Sequence, residues 1–202
     1  MLPVYVICIF LGAGLLFLVQ PMAAKMLLPI LGGSPSVWIT CMLFFQAMLL
    51  AGYAYAHGLT GRLSLRRQAL FHCGVLLAPL LCLPLSIPRT EEAAAAAAAP
   101  VPWLLFRLTL TLGLPFGVLA ATSPLLQRWF TLGDHRSAGD PYFLYAASNA
   151  GSLIALLAYP LVIEPALPLT AKSEALLPPR VAALSQNMVW TLGYLLYAAL
   201  AM

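Results

Sequence analysis

Long uncharged apolar stretches dominate this chain and constrain its fold more than any other feature. The stretch from Leu2 to Val19 contains no charged residue, and five further apolar stretches follow it. A helix needs about 20 apolar residues to cross the hydrocarbon core of a bilayer. Charged residues make up only 8% of the chain, whereas a soluble domain is about one quarter charged. We therefore predict an integral membrane protein whose main partner is the lipid bilayer.

Turns and prolines divide the chain into segments that are long enough to span a membrane as helices. They predict an all-α, polytopic bundle of about six transmembrane helices, in a single transmembrane domain over residues 1–202. The predicted spans cover about residues 2–31, 37–56, 69–87, 102–121, 142–163 and 186–202. After Pro124 we expect the chain to restart as a short helix in the membrane interface, because apolar and aromatic residues follow the proline.

The distribution of cations predicts the orientation. Arg62, Arg66 and Arg67 lie close together between the second and third spans, and short arginine-rich loops stay in the cytoplasm. With six spans, both termini are then cytoplasmic, in a multi-pass protein of the cell inner (plasma) membrane. Nine of the ten cations then divide five to four between the two sides of the membrane. Arg62, Arg66, Arg67, Arg128 and Arg136 lie on the cytoplasmic side, and Lys25, Arg89, Lys172 and Arg180 lie on the outer side.

Three charged residues fall within or at the ends of the predicted spans. Lys25 lies late in the first span, Arg107 early in the fourth, and Glu164 at the end of the fifth. Charges at membrane depth are costly, so their positions carry information. The three residues form a candidate intramembrane polar cluster, in which we expect Lys25 and Glu164 to interact and Arg107 to lie in the same half of the bundle. Separate snorkelling to the interface, or a purely structural ion pair, is the alternative.

Small residues recur at helical spacing in the fourth and fifth spans. Gly113 and Gly117 share one face of the fourth, and Gly151 shares a face of the fifth with Ala147 and Ala155. Such stripes allow two helices to approach closely. We predict that the two spans pack tightly, on each other in the simplest arrangement. Asn149, beside the second stripe, either bonds to a neighbouring helix or contacts a substrate.

On the cytoplasmic side, Arg128 and Asp140 form a candidate pair. The interfacial segment after Pro124 is expected to bring Arg128 close to the start of the fifth span, where Asp140 precedes Pro141. Asp140 could instead cap that helix, since Asp favours the position before a helix-initiating Pro.

The chain carries no recognisable catalytic or cofactor motif. It lacks the glycine-rich nucleotide loops, the HExxH metal motif and the GxSxG nucleophile motif. The cysteines form no CxxC pair, and His57, His72 and His135 are far apart in the chain. No basic stripe suited to nucleic acid is present. We therefore predict no catalytic residue, no cofactor, no metal and no nucleic-acid partner.

Several segments together resemble a known family. These are LGAGLLFLVQPMAAKMLLPILGGSPSVW, TCMLFFQAMLLAGYAYAH, LPFGVLAATSPLLQRWF and DPYFLYAASNAGSLIALLAYPLVIEP. Their order is similar to the membrane region of bacterial membrane-bound spermidine synthase-like proteins, which are fused major facilitator/spermidine synthase proteins. The resemblance covers about residues 8–170. It implies a fold like half of a major facilitator protein, without the soluble aminopropyltransferase domain that follows in the family.

The basic loop GLTGRLSLRRQ also resembles the cytoplasmic loop motif of the major facilitator superfamily. Gly61 stands where that motif has Asp. Six spans are half of the superfamily's usual twelve, so a half-unit would need a second copy or another membrane subunit to enclose a pathway.

Three functions remain open from the sequence. The first is a non-enzymatic membrane module that anchors or scaffolds a partner or a membrane complex. The second is a transporter-like half-unit that binds or moves a small solute, with a polyamine suggested by the family name alone. The third is an intramembrane enzyme of unknown chemistry that uses Lys25, Glu164, Asp140 or Arg128.

Overall fold

A computed structural model describes residues 2–87, 98–133, 135–170 and 184–202. Within these ranges the chain is all-helical, as the sequence predicts, and contains no strand. Four of its helices are long and apolar enough to cross a membrane. The predictions for Arg89, Lys172 and Arg180 concern residues outside the described ranges.

Helix α1 (Leu2–Leu31) has 30 residues and continues through Pro21 and Pro29 without a break. At 1.5 Å per residue it is about 45 Å long. Gly32 follows with a φ of +71°, a left-handed conformation that glycine adopts without the steric penalty of a side chain. Helix α2 (Pro35–Arg62) begins with Pro35 in its first turn, where the missing amide hydrogen costs nothing. It is longer at both ends than the predicted second span.

The third predicted span is not one α-helix. Helix α3 (Leu65–Leu77) ends about ten residues earlier than predicted and continues as a 3-10 turn over Ala78–Cys82. Pro79 and Pro84 explain the difference, because proline lacks the amide hydrogen that an α-helix needs in its interior. The α-helix and the turn together extend about 30 Å at standard rises per residue.

Helix α4 (Pro100–Thr131) has 32 residues and corrects the prediction of a helix that restarts after Pro124. The helix runs through Pro124, with a π-helical turn over Thr109–Gly113. A proline inside a helix removes one hydrogen bond. Burial of the next two residues, Leu125 and Leu126, favours the continuous helix over a segment that leaves the bundle.

Helix α5 (Tyr142–Ala166) has 25 residues and includes a π-helical turn over Tyr159–Ile163. Helix α6 (Gln186–Ala201) has 16 residues and is about 24 Å long. Helices α3 and α6 are therefore the short members of the bundle. The four long ones are α1, α2, α4 and α5.

Helix α1 lies at the centre of the packing. It packs most extensively along α5 and also contacts α6 and α4, while α2 packs mainly along α4. The buried core consists of aliphatic and aromatic side chains from all six helices, including Val19, Leu27, Phe116 and Tyr194.

The helix ends group into two ends of the bundle. At one end, Asn187 Nδ2 donates to the Leu85 carbonyl at 3.2 Å, and Gln186 Nε2 donates to the Leu167 carbonyl at 2.9 Å. At the other, Trp129 Nε1 donates to Gln68 Oε1 at 2.9 Å. We call these the Lys25 end and the Arg128 end, after one charged residue at each.

Candidate functional site

The Lys25 end contains an ion pair between two helices that are far apart in sequence. Lys25 Nζ on α1 donates to Glu164 Oε1 on α5 at 2.6 Å. The side chains are 36% and 44% exposed, respectively. The long, uninterrupted α1 carries Lys25 to the end of the bundle where α5 terminates. The structure thus brings together the two residues that the sequence analysis selects.

The ion pair lies in a cleft of about 570 Å³ between α1, α2 and α5. Most of its wall is apolar or aromatic, with Trp38 and Phe45 contributed by α2 and Tyr159 by α5. Gln20 adds an amide from α1. This volume falls within the usual range of small-molecule sites.

Two helices that contain a proline line this cleft. Pro21 on α1 and Pro160 on α5 both lie in its wall. Proline has no amide hydrogen for the carbonyl group one turn earlier, so each helix has a locally altered hydrogen-bond pattern beside the charges. On α5 that pattern is a π-helical turn immediately before Glu164. Such turns occur frequently at functional sites.

Arg107 does not join this cleft. It lies on α4, one turn after the buried Trp103, and it is not among the residues that line the cleft. Lys25 and Glu164 therefore meet in this cleft without Arg107, whose helix α4 packs against α2 and α1 rather than along α5.

The small-residue stripes make close crossings, but not between the two helices that the sequence analysis pairs. A β-carbon on Gly151 of α5 would lie 3.0 Å from the carbonyl carbon of Phe10 on α1 and even closer to its oxygen. A β-carbon on Gly52 of α2 would lie 2.8 Å from the β-carbon of Ala120 on α4. Helix α5 thus crosses α1, and α2 crosses α4, which corrects the predicted contact between the fourth and fifth spans.

Two further predicted packing residues have different surroundings. Asn149 is exposed, and its carbonyl oxygen accepts a hydrogen bond from the Ser152 hydroxyl of its own helix at 2.9 Å. The nearest side-chain atom to a β-carbon on Gly113 would belong to Thr109 of the same helix, at 3.6 Å. Gly117 does face α2, where the end of the Met48 side chain would lie 3.0 Å from an added β-carbon.

Arg128 and Asp140 do not pair. Both side chains are exposed, and no ion pair joins them. Asp140 does not cap α5 through its side chain either, because Pro141 occupies the capping position without a side-chain hydrogen bond. An exposed ion pair contributes at most about 1 kcal/mol, so nothing compels these two residues to meet.

Sequence reasoning missed a buried polar network between α2, α3 and α4. Thr122 donates to the Val118 carbonyl at 2.6 Å, so its oxygen accepts from His72 Nε2 at 2.9 Å. His72 Nδ1 then accepts from the Tyr55 hydroxyl at 3.1 Å. The three residues lie on three different helices, and only the fold shows that they meet.

Among the described residues, no group of His, Cys, Asp and Glu could hold a metal ion. The four cysteines are free thiols, with Cys8 and Cys41 buried. In the cleft between α1, α2 and α5, the charged groups are those of Lys25 and Glu164. Comparison with protein-family models, with curated proteins and with solved structures gives no match to this chain.

Proposed function

We propose that this chain is a multi-pass, non-enzymatic module of the inner membrane that anchors or scaffolds a partner protein. Its six helices would all cross the bilayer, with the Arg128 end in the cytoplasm. Arg62 in the last turn of α2 and Arg66 at the start of α3 lie at this end, and cytoplasmic ends are the arginine-rich ones.

The observation that carries the proposal is the contrast between the two long helices α4 and α5. In their most apolar stretches, 61% of the α4 residues are buried but only 17% of the α5 residues. The exposed face of α5 includes Leu157, Leu161 and Val162, and it borders the cleft that contains the half-exposed ion pair. A protein packed on this side would cover both the apolar face and the exposed part of the ion pair, whereas lipid tails would offer that exposed part no further polar contact.

Site-specific photocrosslinking in cell membranes tests this proposal. A photoreactive phenylalanine at Leu161, which is 72% exposed on α5, should form an adduct with a second protein subunit. The same residue at Leu70 is the matched control, because Leu70 is 76% exposed on α3, away from α5. A second copy of this chain and a different membrane protein are both acceptable partners. Adducts with lipid alone at both positions would contradict the proposal.

A transporter-like half-unit is the second candidate, and the cleft with its ion pair favours it. The packing supports a fold like half of a major facilitator protein, since exchanging α1 with α4, α2 with α5 and α3 with α6 preserves the main helix contacts. Repeats of this kind place substrate sites at the repeat interface in transporters. Uptake of a labelled polyamine by proteoliposomes, lost in Glu164→Gln and absent from protein-free liposomes, would select this function over scaffolding.

A further inference from the structure

A proline followed four residues later by a cation occurs twice inside the long helices. Pro21 precedes Lys25 in α1, and Pro124 precedes Arg128 in α4. Helix α1 is crossed closely by α5 at Gly151, and α4 is crossed closely by α2 at Gly52. The pair formed by α4 and α2 therefore corresponds to the pair formed by α1 and α5.

Each of these proline and cation pairs lines a cleft. The cleft beside Pro21 and Lys25 contains Glu164, as described above. The second cleft, of about 480 Å³, lies between α2 and α4 at the Arg128 end, with Pro124 and Arg128 in its wall. Its α2 wall consists of Tyr53, Ala56, His57, Thr60 and Gly61.

The two clefts differ in the partner of the cation. Lys25 is bound by the carboxylate of Glu164. Among the described residues the only other carboxylate is Asp140, and it does not pair with Arg128. No residue in the wall of the second cleft carries a carboxylate. Instead Tyr53 and His57, both exposed, supply further hydrogen-bond donors beside the guanidinium group.

We propose that the cleft between α2 and α4 binds an anionic phosphate group, which takes the place beside Arg128 that Glu164 takes beside Lys25. The planar guanidinium group matches two phosphate oxygens at once, and charge-assisted hydrogen bonds of this kind are among the strongest in proteins. A tetrahedral anion also has oxygens left for the Tyr53 hydroxyl and the His57 imidazole. The cleft is large enough for a phospholipid headgroup as well as for a soluble phosphate.

Two binding measurements on the purified protein distinguish these sources. Native mass spectrometry measures the binding of phosphatidylglycerol, with diacylglycerol as the control that lacks the phosphate. Thermal unfolding in sodium phosphate, against sodium chloride at matched ionic strength, measures the binding of the soluble anion.

Arg128→Gln removes the charge and retains a hydrogen-bonding side chain. Its binding should be weaker by about tenfold or more, as for the loss of a hydrogen bond to a charged group. Arg136→Gln is the matched control, because Arg136 is also exposed at this end but lies outside the cleft. Arg128→Lys should recover part of the affinity. If Arg128→Gln weakens only the binding of phosphatidylglycerol, the ligand is a lipid headgroup. If it removes the stabilisation by sodium phosphate, the ligand is the soluble anion.

A second variant supplies the carboxylate that this cleft lacks. A β-carbon on Gly61 would have no atom within 4 Å, so Gly61→Asp should fold and place a competing carboxylate in the wall of the cleft. It should weaken phosphate binding, whereas Gly58→Asp should not, since Gly58 also has open space but does not line the cleft. If Arg128→Gln does not fold, the comparison of Gly61→Asp with Gly58→Asp still tests whether this cleft binds phosphate. Equal binding by Arg128→Gln and Arg136→Gln, or by the two aspartate variants, would overturn the proposal.

Discussion

Gly151 of α5 lies directly against the backbone of Phe10 in α1. A β-carbon at Gly151 would be 3.0 Å from the Phe10 carbonyl carbon and 3.2 Å from its α-carbon. The obstacle is backbone of another helix, which cannot turn aside as a side chain can. This contact fixes the distance between the central helix and the helix that carries Glu164.

Gly151→Ala should therefore destabilise the protein by about 1–3 kcal/mol, the usual cost of overpacking. Gly117→Ala should cost less, because the nearest atom to its β-carbon is the flexible end of the Met48 side chain. Gly74→Ala is the control, since Gly74 has open space on α3 and alanine there favours the helix. Thermal unfolding in detergent measures all three. Equal melting temperatures for Gly151→Ala and Gly74→Ala would contradict this contact.

The Lys25 and Glu164 ion pair predicts coupled effects on stability. Lys25→Met and Glu164→Gln should each lower the melting temperature, and the double variant should lower it by less than the sum of the two. The coupling free energy should be on the order of 1 kcal/mol, as for residues in direct contact. The reason is that each single variant leaves one charge without its partner.

A control cycle combines Glu164→Gln with Arg136→Gln, which lies at the opposite end of the bundle. This second cycle should be additive, because distant and unconnected sites act independently. Additivity in the Lys25 and Glu164 cycle would show that the ion pair contributes nothing to stability.

The buried His72 network predicts a marked cost for Thr122→Val. The valine has nearly the same shape, but it leaves the His72 Nε2 hydrogen without its acceptor. An unsatisfied buried donor costs about 1–3 kcal/mol. Thr109→Val is the matched control, because the Thr109 hydroxyl bonds only to the Leu105 carbonyl of its own helix, at 2.7 Å. Chemical denaturation should separate the two variants, and equal unfolding free energies would exclude a stabilising role for the His72 contact.

The proposed orientation predicts the outcome of reporter fusions. A fusion after Arg67 should report the cytoplasm, and a fusion after Glu92 should report the outside, because α3 would cross the membrane between them. A periplasmic phosphatase and a cytoplasmic fluorescent protein give opposite signals at each site. The same signal at both fusion points would show that α3, with its short α-helix and 3-10 turn, does not span the bilayer.

The apolar stretches were sufficient to predict an all-helical chain and the approximate positions of its helices, because helix formation depends on local sequence. Helix ends were less predictable near prolines. Pro79 lies in the 3-10 turn that follows α3, whereas Pro124 leaves α4 continuous. The two prolines have the same local chemistry, and the difference lies in how the following residues pack in the bundle.

The partner of Lys25 was predictable, since Glu164 was the one acidic residue predicted at membrane depth, at the end of the fifth span, and both residues belonged at the same end of the bundle. The helices that pack against the small-residue stripes were not predictable. A stripe of glycine and alanine indicates that some helix approaches closely, but the same surface fits any helix backbone. Only the tertiary structure decides that Gly151 meets α1 and that Gly117 meets α2, because those choices follow from how all six helices fill the core together.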